Sequence, residues 1–138
     1  GGQKKKVALA GAIVMDPRLL VLDEPFDGLD PVSKREMIEL LNRLNRERNT
    51  TLIVTTHDVN LVPYVADTVY VIYGGKIVMK GKPYEVFSQK EILEAANLEP
   101  PVLVDLFLYL KEKGLNTEVP TTLDQAKEQL DILLQHKT

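Results

Sequence analysis

Leu19-Leu20-Val21-Leu22-Asp23-Glu24-Pro25-Phe26-Asp27-Gly28-Leu29-Asp30-Pro31 runs four apolar residues straight into two adjacent carboxylates and then into a turn. A short apolar run bounded by breakers fits a strand buried on both faces of a parallel sheet. Ligands of such sheets sit just beyond the carboxyl ends of the strands, which is where Asp23 and Glu24 stand. Neighbouring side chains of one strand point to opposite faces, so the two carboxylates are expected to divide labour, one holding a metal ion and the other a water. Ligation by one or two carboxylates plus substrate phosphates is the usual setting of Mg2+. An Asp-Glu pair alone is more often two solvated acids at the end of a strand; the residues that follow it reverse that weighting.

The chain has 138 residues, and its 44% apolar content is sufficient for a core. Net charge is −3, and Lys4-Lys5-Lys6 is the one dense basic run, so no nucleic-acid partner is expected. The absence of cysteine excludes disulfides and thiolate metal sites and suits a reducing compartment. The apolar runs Leu19 to Leu22 and Val102 to Leu110 fall short of the roughly 20 residues of a membrane span, so a link to a membrane would come through a partner. The chain opens at Gly1 without Met and contains no G-x-x-x-x-G-K-[ST], the loop whose backbone N–H groups cradle phosphates. It reads as a piece whose N-terminal half lies elsewhere.

Lys4 to Met15 predicts a helix with Val7, Leu9, Ala10, Ile13 and Val14 mostly on one side, stopped by Asp16-Pro17. Gly1, Gly2 and Gln3 then lie at a helix N-terminus, where free N–H groups and the dipole favour an anion. After the strand, Asp30-Pro31 reads as N-cap and first residue of an amphipathic helix to about Arg48. Thr51 to Thr55 predicts a second strand, which delivers Thr56-His57-Asp58 to the same sheet edge as Asp23 and Glu24. A lone histidine is usually structural or merely exposed. Here, after a β-rich strand, His57 can hydrogen-bond a phosphate oxygen or orient an attacking water; His136 has no such setting and reads as a surface residue.

Asp58 to about Ala66 predicts a short helix interrupted by Pro63, and Thr68–Tyr73, Gly74-Gly75 and Lys76–Lys80 a β-hairpin ended by Gly81. From Ser88 onward three helices are expected, roughly Gln89–Ala96, Val102–Lys113 and Leu123–Gln135, with capping boxes at Ser88-x-x-Glu91 and Thr122-x-x-Gln125. Leu103, Phe107 and Leu110 share one face of the second and Val104 and Leu108 an adjacent one. Such apolar surface packs on the chain's own core or forms a dimer contact.

Three motifs in this order resemble one family. Four apolar residues, Asp23-Glu24-Pro25, a linker and Gly28-Leu29-Asp30 are similar to the Walker-B and D-loop block of ATP-binding-cassette (ABC) ATPases; Gly1-Gly2-Gln3 looks like the end of their signature motif, and His57 matches their switch histidine. Residues 88–138 resemble, more softly, the C-terminal region of energy-coupling-factor importer ATPases of the cobalt and nickel type. They do so through the second helix, Gly114-Leu115 and Pro120-Thr121-Thr122, with Leu98-Glu99-Pro100-Pro101 and Gly1 to Ala8 in the same style. Phe26-Asp27 stands where many relatives carry smaller residues, and no function is assigned to it.

The resemblance implies an α/β fold: the C-terminal part of a P-loop nucleotidase domain over residues 1–87, with a largely parallel sheet and a terminal hairpin, and a helical dimerisation appendage over 88–138. It implies an ATP-hydrolysing subunit of an importer at the cytoplasmic face of the cell membrane, working with a second ATPase subunit, homo- or heterodimeric, and with integral-membrane subunits. The cofactors implied are ATP and Mg2+. Carried over by position, Asp23 holds Mg2+ through water and Glu24 is the general base. His57 contacts the γ-phosphate, Asp30 couples two sites across the interface, and Gly1, Gly2 and Gln3 close on the partner's nucleotide. Without the phosphate loop the piece is expected to be inactive alone. Two other classes are weighed: a DNA-repair or chromosome-organising ATPase of the SMC kind, whose C-terminal half follows a long coiled coil, and a non-catalytic dimerisation module. Intact Glu24 and His57 argue against the latter, and the hairpin and helical tail favour the transporter.

Overall fold

The computed structural model describes residues 2–135; Gly1 and His136 lie outside them. The chain divides into two compact units, residues 2–58 and 59–135.

In the first unit, helix α1 (Gly2–Val14) ends where Asp16 turns to φ +47 ahead of Pro17, its N–H still bonded to the Ile13 carbonyl at 2.9 Å. The expected apolar face of α1 is not the one that packs. Leu9 is buried, whereas Val7 and Val14, seven residues apart, share the open side. Strand β1 (Leu19–Asp23) runs parallel to β2 (Thr51–Thr55), Leu19 opposite Thr51 and Asp23 opposite Thr55. Burial on both faces does not occur: Leu20 is covered, while Leu19 (53%), Val21 (61%) and Ile53 (50%) are exposed. The reason is the two-stranded sheet, covered on one face, where α2 packs against β2.

Helix α2 (Pro31–Arg48) begins as its sequence predicts. Asp30 is extended and accepts from the Ser33 N–H at 2.9 Å and the Ser33 hydroxyl at 2.8 Å, and Pro31 is the first helical residue. Met37, Leu41 and Leu44, at helical spacing, form its buried stripe. Asn49, at φ +54, closes it. Buried Thr50 then donates its hydroxyl to the Pro17 carbonyl at 3.1 Å, fixing where the β1–β2 ladder starts.

The second unit contains α3 (Val62–Val65), the hairpin of β3 (Val69–Tyr73) and β4 (Lys76–Gly81), α4 (Pro83–Phe87), α5 (Lys90–Ala95), α6 (Val102–Glu112) and α7 (Leu123–Gln135). The Gly74-Gly75 turn holds both residues at positive φ, +57 and +73, the conformation a tight hairpin requires. A bulge after Val71 shifts the register from Val71–Met79 to Ile72–Ile77. Helix α3 is shorter than expected, and Pro63 lies in its first turn instead of interrupting it.

Helix α4 lies between the hairpin and the terminal helices, its start marked by Pro83 and by Glu85 accepting from the Lys82 N–H at 2.8 Å. Ser88 does not form the expected capping box; its hydroxyl donates to the Tyr84 carbonyl at 2.7 Å, and α5 starts without a side-chain cap. The Thr122–Gln125 box does form, each residue's side chain bonded to the other's N–H at 3.4 Å. The first N–H groups of α6 and α7 are capped from far away in sequence, Val102 by the Asn60 carboxamide and Leu123 by the Tyr64 hydroxyl, each at 3.0 Å. One core holds Val71, Val86, Phe87, Leu93, Val104, Phe107, Val119 and Ala126, so the helices beyond Ser88 bury their apolar faces together with the hairpin and α4. Among the described residues no helix is long and apolar enough to cross a membrane.

Candidate functional site

The site lies where β1 and β2 end. Asp23 is the last residue of β1, and its carboxylate accepts the hydroxyl of Thr55, its partner across the ladder. Glu24 leaves the strand: its φ is +46, a left-handed backbone, and its N–H donates to both the Thr55 carbonyl and the Thr55 hydroxyl oxygen at 3.1 Å. The opposite-face expectation for Asp23 and Glu24 therefore fails, because alternation holds only while the chain stays extended. Both carboxylates turn toward the end of β2, one onto Thr55 and the other onto His57.

Glu24 opens a turn in which the Asp27 N–H donates back to the Glu24 carbonyl at 3.3 Å. Phe26, 2% exposed, anchors this turn, which gives a packing role to a residue that the sequence left without one. Gly28, at φ +71, and Asp30 lead from it into α2. His57 Nδ1 lies 3.0 Å from Glu24 Oε1, and Nε2 lies 3.8 Å from Asp27 Oδ1. The imidazole is thus bracketed by the carboxylates at the two ends of one turn, although its side chain is 71% exposed. Its pKa is raised from the ordinary 6.5, first by the hydrogen bond to Glu24, then by the Glu24 charge and by Asp27. The pKa of Asp30 is lowered, chiefly by the Ser33 N–H and hydroxyl.

One donor atom each of Glu24, Asp27 and His57 falls within 4.8 Å of the others, a closeness in keeping with the Glu24–His57 hydrogen bond and the approach of Asp27 to the other ring nitrogen. The oxygen-only, solvent-facing carboxylate of Asp23 is the donor that suits Mg2+ held through water. Among the sequence-predicted residues, Asp23, Glu24 and His57 come together, and Asp30 follows on the same loop as the cap of α2. Gly2 stands in the first turn of α1, where a Cβ would meet Leu29 at 3.0 Å; Gln3 is exposed beside it, and Gly1 lies outside the described residues. Sequence reasoning missed Asp27, Thr55 and Lys5. The Lys5 ammonium donates to the carbonyls of Glu24 and Asp27 at 2.8 and 2.7 Å.

A family model described as an AAA domain, putative AbiEii toxin, Type IV TA system, matches residues 2–62. The chain is 50% identical over 113 residues to an energy-coupling factor transporter ATP-binding protein of Methanocaldococcus jannaschii, covering 82% of this chain and 40% of that protein. Among solved structures, an ABC-transporter component from Clostridium perfringens, described as part of a cbiONQ complex, matches 80% of this chain and 43% of its own, with 40% identity and a TM-score of 0.59. A dimeric ATP-binding cassette in a post-hydrolysis state, bound to ADP and Pi, matches 59% of this chain and 35% of its own, with 29% identity and a TM-score of 0.56. The chain spans about two-fifths of the length of the curated relatives it matches.

Proposed function

Because this chain is homologous to the ATP-binding proteins of ABC transporters, energy-coupling-factor ATPases among them, we propose that it supplies the Walker-B, D-loop and switch-histidine part of an ATPase that powers an importer. The observation that carries the reading is Glu24. A carboxylate is held in a left-handed turn at the end of β1, with its oxygen on the imidazole of His57. A strained, non-glycine position with a titratable partner is a mark of chemistry. Glu24 takes the proton of the attacking water, and His57 orients the γ-phosphate or that water. Asp23 would hold Mg2+ through water, which would supply neutralisation of the phosphate charge.

Asp30 couples the two nucleotide sites of a dimer, and Gly1, Gly2 and Gln3 close on the partner's nucleotide. The ADP and phosphate of the dimeric cassette described above support ATP as the nucleotide and a second ATPase subunit, of the same or another chain, as the partner. Integral-membrane subunits complete the assembly, with this subunit peripheral on the cytoplasmic face. The resemblance of residues 88–138 to energy-coupling-factor ATPases of the cobalt and nickel type favours a transition-metal cargo, cobalt or nickel, with a vitamin as the other cargo of this importer class. These 138 residues carry no phosphate-cradling loop, so they hydrolyse ATP only as part of the full cassette. Glu24→Gln in that cassette tests the reading: hydrolysis stops while ATP binding persists, because the amide keeps the shape and loses the basicity. Wild-type turnover in the variant would remove Glu24 from its role.

A further inference from the structure

Lys4, Lys5 and Lys6 read as a simple charge run, yet helical spacing gives each a different outlook. Lys6 pairs with Glu36 on α2 at 2.7 Å. Lys5 is half-buried, and its ammonium reaches the Glu24–Asp27 turn, 2.8 Å from the Glu24 carbonyl and 2.7 Å from the Asp27 carbonyl. These are the first and last residues of the turn that the Asp27 N–H closes onto the Glu24 carbonyl. They are also the residues whose carboxylates bracket His57. A cation donating to two carbonyls makes stronger hydrogen bonds than a neutral donor, and it fixes the direction of both peptide planes, hence of both side chains.

We propose that Lys5 is a positioning residue: it staples the two ends of the Glu24–Asp27 turn and so sets where the Glu24 and Asp27 carboxylates stand relative to His57. This rests on the reading of Glu24 as general base. Because Lys5 lies on α1 three residues after Gly2 and two after Gln3, the staple also joins the segment proposed to close on the partner's nucleotide to the residue proposed to act on its own.

The test compares Lys5→Met, which keeps the length and loses the donors, with Lys5→Arg, which keeps them, in the full cassette. Lys5→Met is expected to lower kcat about tenfold or more, the order of loss from misplacing a catalytic group, with KM for ATP and the amount of nucleotide bound unchanged. Lys5→Arg restores most of the rate. A merely structural role would instead raise KM and lower the amount of nucleotide bound along with kcat. An unchanged kcat, or a KM that rises as kcat falls, overturns the proposal.

If Glu24→Gln itself keeps its turnover, the base assignment fails on its own. The staple is then judged by the carbonyl carbon NMR shifts of Glu24 and Asp27 in this chain, which move in Lys5→Met and return in Lys5→Arg. Shifts that stay in place overturn it. Should Lys5→Met not fold, Lys5→Gln, with a neutral amide donor left, carries the same comparisons with smaller changes in the same directions.

Discussion

Phe107 on α6 is 1% exposed and lies in the core that contains Val71 of β3, Val86 and Phe87 of α4 and Leu93 of α5. Replacing it with alanine removes a side chain whose burial is worth about 1.5–3 kcal/mol. The void left behind brings the measured cost of such deletions to about 3–5 kcal/mol. Against a total stability of about 5–15 kcal/mol for an ordinary domain this is a large loss. At a urea slope of about 2 kcal/mol per M, the midpoint falls by about 1.5–2.5 M. The chain has no tryptophan and five tyrosines, Tyr64, Tyr70, Tyr73, Tyr84 and Tyr109, every one in residues 59–135, so tyrosine fluorescence reports this unit alone. Ring NMR signals then separate the elements, and Tyr70 and Tyr73 on β3 lose their native shifts together with Tyr109 on α6. A midpoint within about 0.5 M of wild type, or a hairpin that stays native while α6 melts, would refute the shared core.

His57 titrates above 6.5, and with two histidines in the chain its NMR signals are readily assigned; Glu24→Gln lowers its pKa most and Asp27→Asn less, following the order of causes. Because the folded-state value is raised, the contribution of His57 to stability is complete below 6.5 and is lost as pH rises through the folded value; a midpoint at or below 6.5 would contradict the bracketed geometry. For Asp30, whose folded pKa is lowered from 3.8, the sign is reversed: its stabilisation is present above 3.8 and lost as pH falls through the folded value. The stability difference between wild type and Asp30→Ala should therefore shrink on acidification, and a difference that persists at pH 2 would show that the cap owes nothing to charge.

The elements legible in the sequence carry their own local signals. Asp30-Pro31 and Asn49 bound α2, Gly74-Gly75 makes the hairpin turn, and four apolar residues mark β1. What stayed hidden depends on distance or on a break in periodicity. Alternation along β1 places Glu24 opposite Asp23, but the chain leaves the strand one residue earlier than the pattern shows. Lys5 is indistinguishable from Lys4 and Lys6 until helix geometry separates them. Asn60 and Tyr64 cap α6 and α7 from 42 and 59 residues away, and no local pattern records such a pairing. The Ser88 hydroxyl bonds the Tyr84 carbonyl of the preceding turn and does not cap α5. The position of α4 was missed although its Pro83 and Glu85 are start signals, because a helix of five residues shows too little periodicity to stand out.

The left-handed backbone at Glu24 sets stability against activity. That conformation costs a non-glycine residue about 1–2 kcal/mol, and glycine or asparagine would occupy it with less strain. Neither has a carboxylate to offer His57. Selection of this chain for thermal resistance alone would therefore move position 24 away from the residue that its proposed chemistry requires. A stabilised descendant that folds better but lacks the proposed general base of its cassette is the outcome such a selection would favour, unless turnover were selected alongside.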